Sequence, residues 1–186
     1  DDIGTNLSAI ALASQSLSRK RGSGTEAREA LGRIGAVAQR TTEQMKDIVW
    51  VLKTNNDSLD DIIIKMREVA GQLLKGTPIT FLAPAAGFAG TVDLEFKRNV
   101  FLFYKECLNN VVKHSRATEV TIRVDYGEGK FTMQIDDNGR GFTEEGITPG
   151  SGLQNLRARA RLMNGEVTID SKPGHGTHVA LVVKMT

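Results

Sequence analysis

The amino-acid sequence predicts an α+β protein with an N-terminal helical hairpin followed by a two-layer α/β sandwich. In the first part, apolar residues recur every three or four positions, which is the period of helices that pack along a seam. In the second part, apolar and polar residues alternate over short segments separated by turn residues, which is typical of half-buried strands. We therefore expect two domains, residues 1–75 and residues 76–186.

The hairpin is predicted from two apolar helical patterns on either side of a polar, glycine-containing break at 19–24. The second pattern alternates spacings of three and four without interruption, through Leu31, Ile34, Ala38, Thr41, Met45, Ile48 and Leu52. One hairpin has a small core, so we expect two copies to pair as a dimeric four-helix bundle. A packed bundle within one chain is the alternative. A linker helix is expected from Asp60 to Leu74.

The second domain is expected to contain one mostly antiparallel sheet with helices on one face. Strands are predicted at Ile79–Leu82 and over 120–124, 131–135, 167–169 and 179–183. Helices are predicted over 93–114 and 153–163, and the stretch 139–152 is rich in glycine.

Composition excludes some classes of protein. The 24 Lys and Arg residues nearly balance the 22 Asp and Glu residues, and only 5% of residues are aromatic, so a nucleic-acid partner is not expected. The single cysteine, Cys107, cannot form an internal disulfide, which fits a reducing cytoplasm. No apolar run approaches the roughly 18 residues of a membrane span. Because the chain opens at Asp1 without a methionine, we expect a cytoplasmic fragment, and an inner-membrane anchor in its parent stays open.

Asp137 is the first candidate site residue. It continues the parity of Phe131, Met133 and Ile135 and should therefore point inward at the end of a strand. An inward carboxylate is costly unless it meets a donor, and Gly139 and Gly141 follow directly. This pattern suits a ligand with an exocyclic amine, such as adenine. An Asp-Asn-Gly turn that only caps a hairpin is the alternative.

A second candidate is a polar stripe on the long helix, with Glu106, Asn110 and Lys113 at i, i+4 and i+7. An acid, an amide oxygen and an ammonium in a row could hold Mg²⁺ and a polyphosphate, and His114 adds a donor. An ordinary solvated ladder of Glu, Asn and Lys is the alternative.

Two further glycine-rich segments could bind a ligand. Gly150 and Gly152 lead into a helix, whose bare backbone N–H groups attract anions. The turn over 174–177 ends at Thr177, which could reach a ligand or simply begin a strand. No P-loop motif and no dinucleotide-binding glycine motif is present in the sequence.

Together these motifs resemble the ATP-binding domain of sensor histidine kinases, in the superfamily shared with gyrase, the heat-shock chaperone and MutL. The resemblance covers residues 76–186, and its motifs are an N box at 106–115 and glycine boxes at 137–142, 150–160 and 174–177. It implies a Bergerat-type fold that binds ATP with Mg²⁺.

The resemblance also implies roles for single residues. Asp137 would hold the adenine amine, in a pocket that Gly139, Gly141 and Thr177 complete. Asn110 would bind Mg²⁺, and Glu106 would orient a water or ligand near the metal. The remaining contacts to ATP would come from Lys113, His114, Gly150, Gly152 and Leu153.

The N-terminal half resembles the dimerisation and phosphotransfer hairpin of the same kinases, whose helix begins His-Asp-x-x-Gly. This chain begins at the Asp of that motif, Asp1, so the phosphoacceptor His would lie just upstream and Asp1 would assist removal of its proton. The implied function is a dimeric kinase that phosphorylates this His and passes the phosphoryl group to an Asp of a response regulator receiver domain. A nucleotide-gated interaction module, similar to an anti-sigma factor or a pseudokinase, is the alternative.

Overall fold

The computed structural model describes residues 58–85, 92–143 and 152–185, together with isolated positions between 10 and 49. The described positions from Leu31 to Val49 are helical. Most of the predicted hairpin, including its first helix, lies outside the described residues, so the dimeric bundle stays a prediction. The chain forms two compact units, residues 1–55 and residues 56–186.

Helix α1, Leu59–Leu73, opens the second unit. The hydroxyl of Ser58 accepts the N–H of Asp60 at 3.1 Å and caps the first turn. Its buried residues follow the helical period and are Leu59, Ile62, Ile63, Met66, Val69 and Ala70.

The assignment of α1 differs from the sequence-based expectation, which placed it as a linker in residues 1–75. In the structure α1 belongs to the same unit as the sheet, because its apolar face packs against the next helix of that unit, Leu94–Asn110. The buried hydroxyl of Tyr104 donates to the Met66 carbonyl at 2.8 Å, across 38 residues of sequence. The boundary between the compact units therefore falls at residues 55 and 56, ahead of this helix rather than after it.

The sheet has five strands in the order β1-β2-β3-β5-β4. The strands are β1 Ile79–Leu82, β2 Val120–Gly127, β3 Lys130–Asp137, β4 Gly165–Ser171 and β5 Thr177–Lys184. β1 pairs with β2 in parallel, and the other three pairings are antiparallel. The predicted α+β sandwich with a mostly antiparallel sheet is confirmed.

Two helices cover one face of the sheet. They are α2, Leu94–Asn110, between β1 and β2 in the chain, and α3, Gly152–Leu162, between β3 and β4. The core between them and the sheet includes Phe101, Leu108, Ile122, Phe131 and Leu181, each fully buried. Among the described helices, none combines the length and the apolar character that crossing a bilayer requires.

The end of α2 was predicted as a plain continuation of the helix to residue 114. Instead the chain widens into a π-helical turn, Val111–Ser115, and stops at Arg116 in the left-handed conformation with φ +56°. Single π-turns of this kind are frequent at functional sites. Here the widened turn brings Ser115 next to the end of β3.

Candidate functional site

A cavity of about 480 Å³ lies at the end of β3, between β5, the π-helical turn and the start of α3. The sequence-predicted residues that line it are Asn110, His114, Asp137, Gly141, Gly152, Leu153 and Thr177. Cys107, Val111, Ile135 and Val179 supply apolar wall. The site is therefore an apolar slot with a small number of polar groups, which is the usual make-up of a small-molecule site.

Asp137 is the carboxylate of this slot, as its strand parity predicted. It is half-buried, and its Oδ1 accepts the N–H of Gly139 at 2.9 Å. The hydroxyls of Ser115 and Thr177 also donate to it. Burial raises the pKa of Asp137 above its usual 3.8, although these three donors oppose the shift. Its donors are a backbone N–H and two hydroxyls, which leave the carboxylate able to accept a further hydrogen bond from a ligand.

The glycines after Asp137 are required by close contact between backbones. Gly141 has φ +59°, and a Cβ there would overlap the carbonyl oxygen of Lys172. A Cβ on Gly139 would overlap the carbonyl oxygen of Ser115. Between them, Arg140 donates its N–H to the Ser115 carbonyl at 2.7 Å. This segment thus joins the end of the π-helical turn to the turn between β4 and β5.

The polar stripe on α2 meets the start of α3. A Cβ on Gly152 would overlap the Glu106 carboxylate and would lie 3.0 Å from Oδ1 of Asn110. Glu106 and Asn110 therefore face the first turn of α3, and a larger residue at position 152 would require the Glu106 carboxylate to move. Carboxylate and amide oxygens suit Mg²⁺, which keeps several waters and takes few protein ligands, so the residues present fit that ion.

Some of the predicted site residues lie elsewhere. Lys113 is exposed and does not line the cavity, since the π-helical turn alters the spacing on which the i+7 position was based. Gly139 touches Asp137 without lining the cavity. Asp1 and Gly150 lie outside the described residues.

Three polar or aromatic cavity residues were missed by the sequence analysis. Ser115, Arg140 and Phe142 line the cavity, and all three stand within or beside the motifs that the sequence showed. Arg140 and Phe142 could have been found as neighbours of the glycines. Ser115 is the last residue of the N box, but its contact with Asp137 could not be predicted, because it depends on the π-helical turn.

A second cavity, of about 560 Å³, opens on the outer face of the sheet and meets the first at Asp137 and Thr177, which line both. Of the side chains that line it, Asp136 contacts His178 at 2.5 Å, and it also contacts Arg123 at 2.8 Å. Within the described residues, no group of three His, Cys, Asp or Glu side chains is placed to hold a metal ion.

Comparison with known proteins gives a family match over most of the second unit. Residues 97–186 match the family described as "Histidine kinase-, DNA gyrase B-, and HSP90-like ATPase". The chain is 25% identical over 153 residues to the sensor histidine kinase ComP of Bacillus subtilis, covering 77% of this chain and 20% of that protein. It is 24% identical over 186 residues to the sensor histidine kinase YvfT of the same species, covering all of this chain and 48% of that protein.

A solved structure shares the fold. The histidine kinase domain of the blue-light activated histidine kinase EL346 of Erythrobacter litoralis superposes with a TM-score of 0.61 at 13% identity, covering 98% of this chain and 94% of that one. This likeness concerns the fold alone. The resemblance drawn from the four sequence motifs is confirmed by the family match and the relatives.

Proposed function

We propose that the chain is the catalytic core of a sensor histidine kinase, because its residues 97–186 match the family of histidine kinase-, DNA gyrase B- and HSP90-like ATPases. The chain spans 20% of ComP and 48% of YvfT, so the activity and partners of the whole protein are part of this proposal. The observation that supports the proposal most directly is the position of Asp137 in an apolar slot.

The Asp137 end of the slot suits an adenine ring. Ile135 and Val179, which are cross-strand partners, supply apolar wall, and the carboxylate of Asp137, the next inward residue of β3, can accept a hydrogen bond from an exocyclic amine. The Thr177 hydroxyl donates to the same carboxylate and so holds its orientation. Asp137 therefore binds and orients the base.

The other end of the slot suits a polyphosphate. Asn110 and Glu106 stand against the first turn of α3, where backbone N–H groups favour an anion. Asn110 would hold Mg²⁺, with Glu106 beside it, and His114 adds a donor on the cavity wall. When bound, Mg²⁺ neutralises charge on the transferred phosphoryl group. The residues of the chain then contribute mainly by fixing the phosphates in position.

The phosphoryl acceptor in this proposal is a His just upstream of Asp1, with Asp1 assisting removal of its proton. Two residues of the predicted seam, Leu31 and Met45, are 61% and 51% exposed in the single chain. A second copy of the chain would cover these exposed apolar side chains, and their exposure therefore supports a homodimer. The phosphoryl group would then pass to an Asp of a response regulator receiver domain.

The first test is a calorimetric titration of the chain with ATP, with and without Mg²⁺, in parallel with Asp137→Asn. Saturable binding that the variant weakens would support the nucleotide site. Binding by neither protein, with both folded, would overturn it.

The second test asks whether the bound nucleotide is used. A protein extended upstream of Asp1 to include the missing His should acquire acid-labile, base-stable phosphate from ATP. An extended protein that binds ATP and stays unlabelled would instead identify a nucleotide-gated interaction module.

A further inference from the structure

Ser171 lies outside the motifs of the nucleotide site, yet its hydroxyl contacts two of the segments that build the slot. It is the last residue of β4, and it is half-buried. Its Oγ accepts the N–H of Phe142 at 3.0 Å. The same atom lies 2.9 Å from the Gly176 carbonyl oxygen and 3.1 Å from Oγ1 of Thr177.

The directions of these hydrogen bonds follow from counting protons. When Asp137 is ionised, its carboxylate can only accept, so the hydrogen bond between Thr177 and Asp137 uses the one proton of the Thr177 hydroxyl. Oγ1 of Thr177 can then only accept from Ser171. A backbone carbonyl also only accepts, so the single Ser171 proton points toward Gly176 and Thr177 together, as a three-centre bond.

The result is a directed chain of donors. It runs from the N–H of Phe142 to the Ser171 hydroxyl, then to the Thr177 hydroxyl, and ends at the Asp137 carboxylate. Phe142 and Thr177 both line the cavity. One side chain on β4 therefore links a wall of the slot to the group that would recognise the base.

We propose that Ser171 is a positioning residue that sets which base the slot accepts, an inference that rests on the proposed nucleotide site. By donating to Thr177, it keeps the Thr177 hydroxyl directed at Asp137, so the slot offers acceptors to the base edge. A base with an exocyclic amine fits this arrangement, whereas a base with a carbonyl oxygen at the same place meets two acceptors. Without Ser171, the Thr177 hydroxyl can turn and donate to such a carbonyl.

The test compares ATP with ITP, which carries a carbonyl oxygen where ATP has the exocyclic amine. Both are titrated calorimetrically with Mg²⁺ into the wild-type chain, Ser171→Ala and Ser171→Thr. Thr168→Ala, which removes an exposed hydroxyl from the same strand, serves as the matched control.

We expect Ser171→Ala to weaken ATP binding by about 2- to 12-fold, the range of one net hydrogen bond, and to weaken ITP binding less. The preference for ATP over ITP should therefore fall, while Ser171→Thr and Thr168→Ala keep the wild-type preference. A purely structural role for Ser171 would weaken both nucleotides equally and leave the preference unchanged.

Several results would overturn the inference. An unchanged preference in Ser171→Ala, or the same loss in Ser171→Thr, would show that the hydroxyl does not set it. A wild-type chain that binds neither nucleotide would overturn the nucleotide site together with this inference, whereas wild-type binding with an unchanged Ser171→Ala overturns this inference alone. If Ser171→Ala does not fold, Ser171→Cys takes its place, because cysteine is similar in size to serine but is a weaker donor. The preference of Ser171→Cys for ATP over ITP must then be lower than that of the wild-type chain.

Discussion

Asp136 and Asp137 are consecutive residues of β3 that sit in two different environments. Asp136 faces the outer cavity, where the Arg123 guanidinium and the His178 ring hold its two oxygens. Asp137 faces the inner slot, where its donors are a backbone N–H and two hydroxyls. The side of the strand thus decides which carboxylate contacts a guanidinium and an imidazole ring and which has only a backbone N–H and hydroxyls as donors.

The comparison shows that size does not identify the site. The outer cavity is the larger of the two, at about 560 Å³ against 480 Å³. In the outer cavity, the charge of Asp136 is balanced by the chain itself. In the slot, burial raises the pKa of Asp137, and a ligand that donates a hydrogen bond can relieve this cost. An apolar wall combined with a half-buried carboxylate that has no charged partner is the better indicator of binding.

The largest effect is expected at Gly176, in the turn between β4 and β5. Gly176 has φ +77°, and a Cβ there would overlap the Asp137 carbonyl oxygen. Gly176→Ala should lower the free energy of unfolding by about 2–5 kcal/mol, the sum of a left-handed alanine and overpacking. Urea denaturation measures the change.

Gly174 in the same turn provides the matched control for Gly176→Ala. It has φ +80° but nothing within 4 Å of an added Cβ. Gly174→Ala should therefore cost only the backbone part, about 1–2 kcal/mol. Equal losses in the two variants would show that the contact between Gly176 and Asp137 does not constrain the fold.

The two aspartates themselves give the next effect. Asp137→Asn should weaken ATP binding by about 1–3 kcal/mol, because an acceptor facing a buried amine is lost. Asp136→Asn should leave ATP affinity unchanged and lower stability by at most about 1 kcal/mol, the usual contribution of a surface ion pair. Calorimetry and urea denaturation on both variants separate the effects, and equal loss of affinity in both would contradict the assignment of the inner face.

The pH dependence of stability and of ATP affinity should also distinguish Asp137 from Asp136. The pKa of Asp137 is raised in the folded protein, so the folded chain holds this proton more tightly than the unfolded chain. Its contribution to stability is therefore greatest below the ordinary carboxyl range and declines as the pH rises through the raised pKa. Affinity for ATP should increase over the same interval, because the ionised carboxylate is the better acceptor.

Unfolding and ATP titrations between pH 4 and pH 8 measure these opposite trends. Asp137→Asn should remove both trends, whereas Asp136→Asn should keep them. Trends that persist in Asp137→Asn would assign the titration to another group.

The smallest effect is expected where α1 packs against α2. Tyr104→Phe removes the hydrogen bond to the Met66 carbonyl that joins α1 to α2, and should lower the free energy of unfolding by about 0.5–1.5 kcal/mol. ATP affinity should not change. A parallel fall in affinity would mean that loss of stability alone weakens binding, and the result for Asp137→Asn would then need correction for it.

The sequence predicted the sheet well because its strands obey a simple alternation. Phe131, Met133 and Ile135 alternate inward, and that parity correctly carried Asp137 to the covered face. The glycine motifs were also readable, since Gly139 and Gly141 stand where neighbouring backbone leaves no room for a Cβ. Local pattern therefore indicated the centre of the site.

Predictions that depended on regular helix geometry were weaker. The stripe of Glu106, Asn110 and Lys113 assumed a continuous α-helix, and the π-helical turn leaves Lys113 outside the cavity. The dimeric bundle and the role of Asp1 stay predictions, because those residues fall mostly outside the described part of the chain.

The sequence by itself determined the periodicities, the order of the motifs and the inward direction of Asp137, because each of these depends on residues a few positions apart. Only the tertiary structure decided that α1 packs on the sheet unit, that Ser115 reaches Asp137, and that Ser171 joins Phe142 to the slot. Those contacts join residues 38, 22 and 29 positions apart. No local periodicity encodes such pairings, which form only when the helices and strands have packed together.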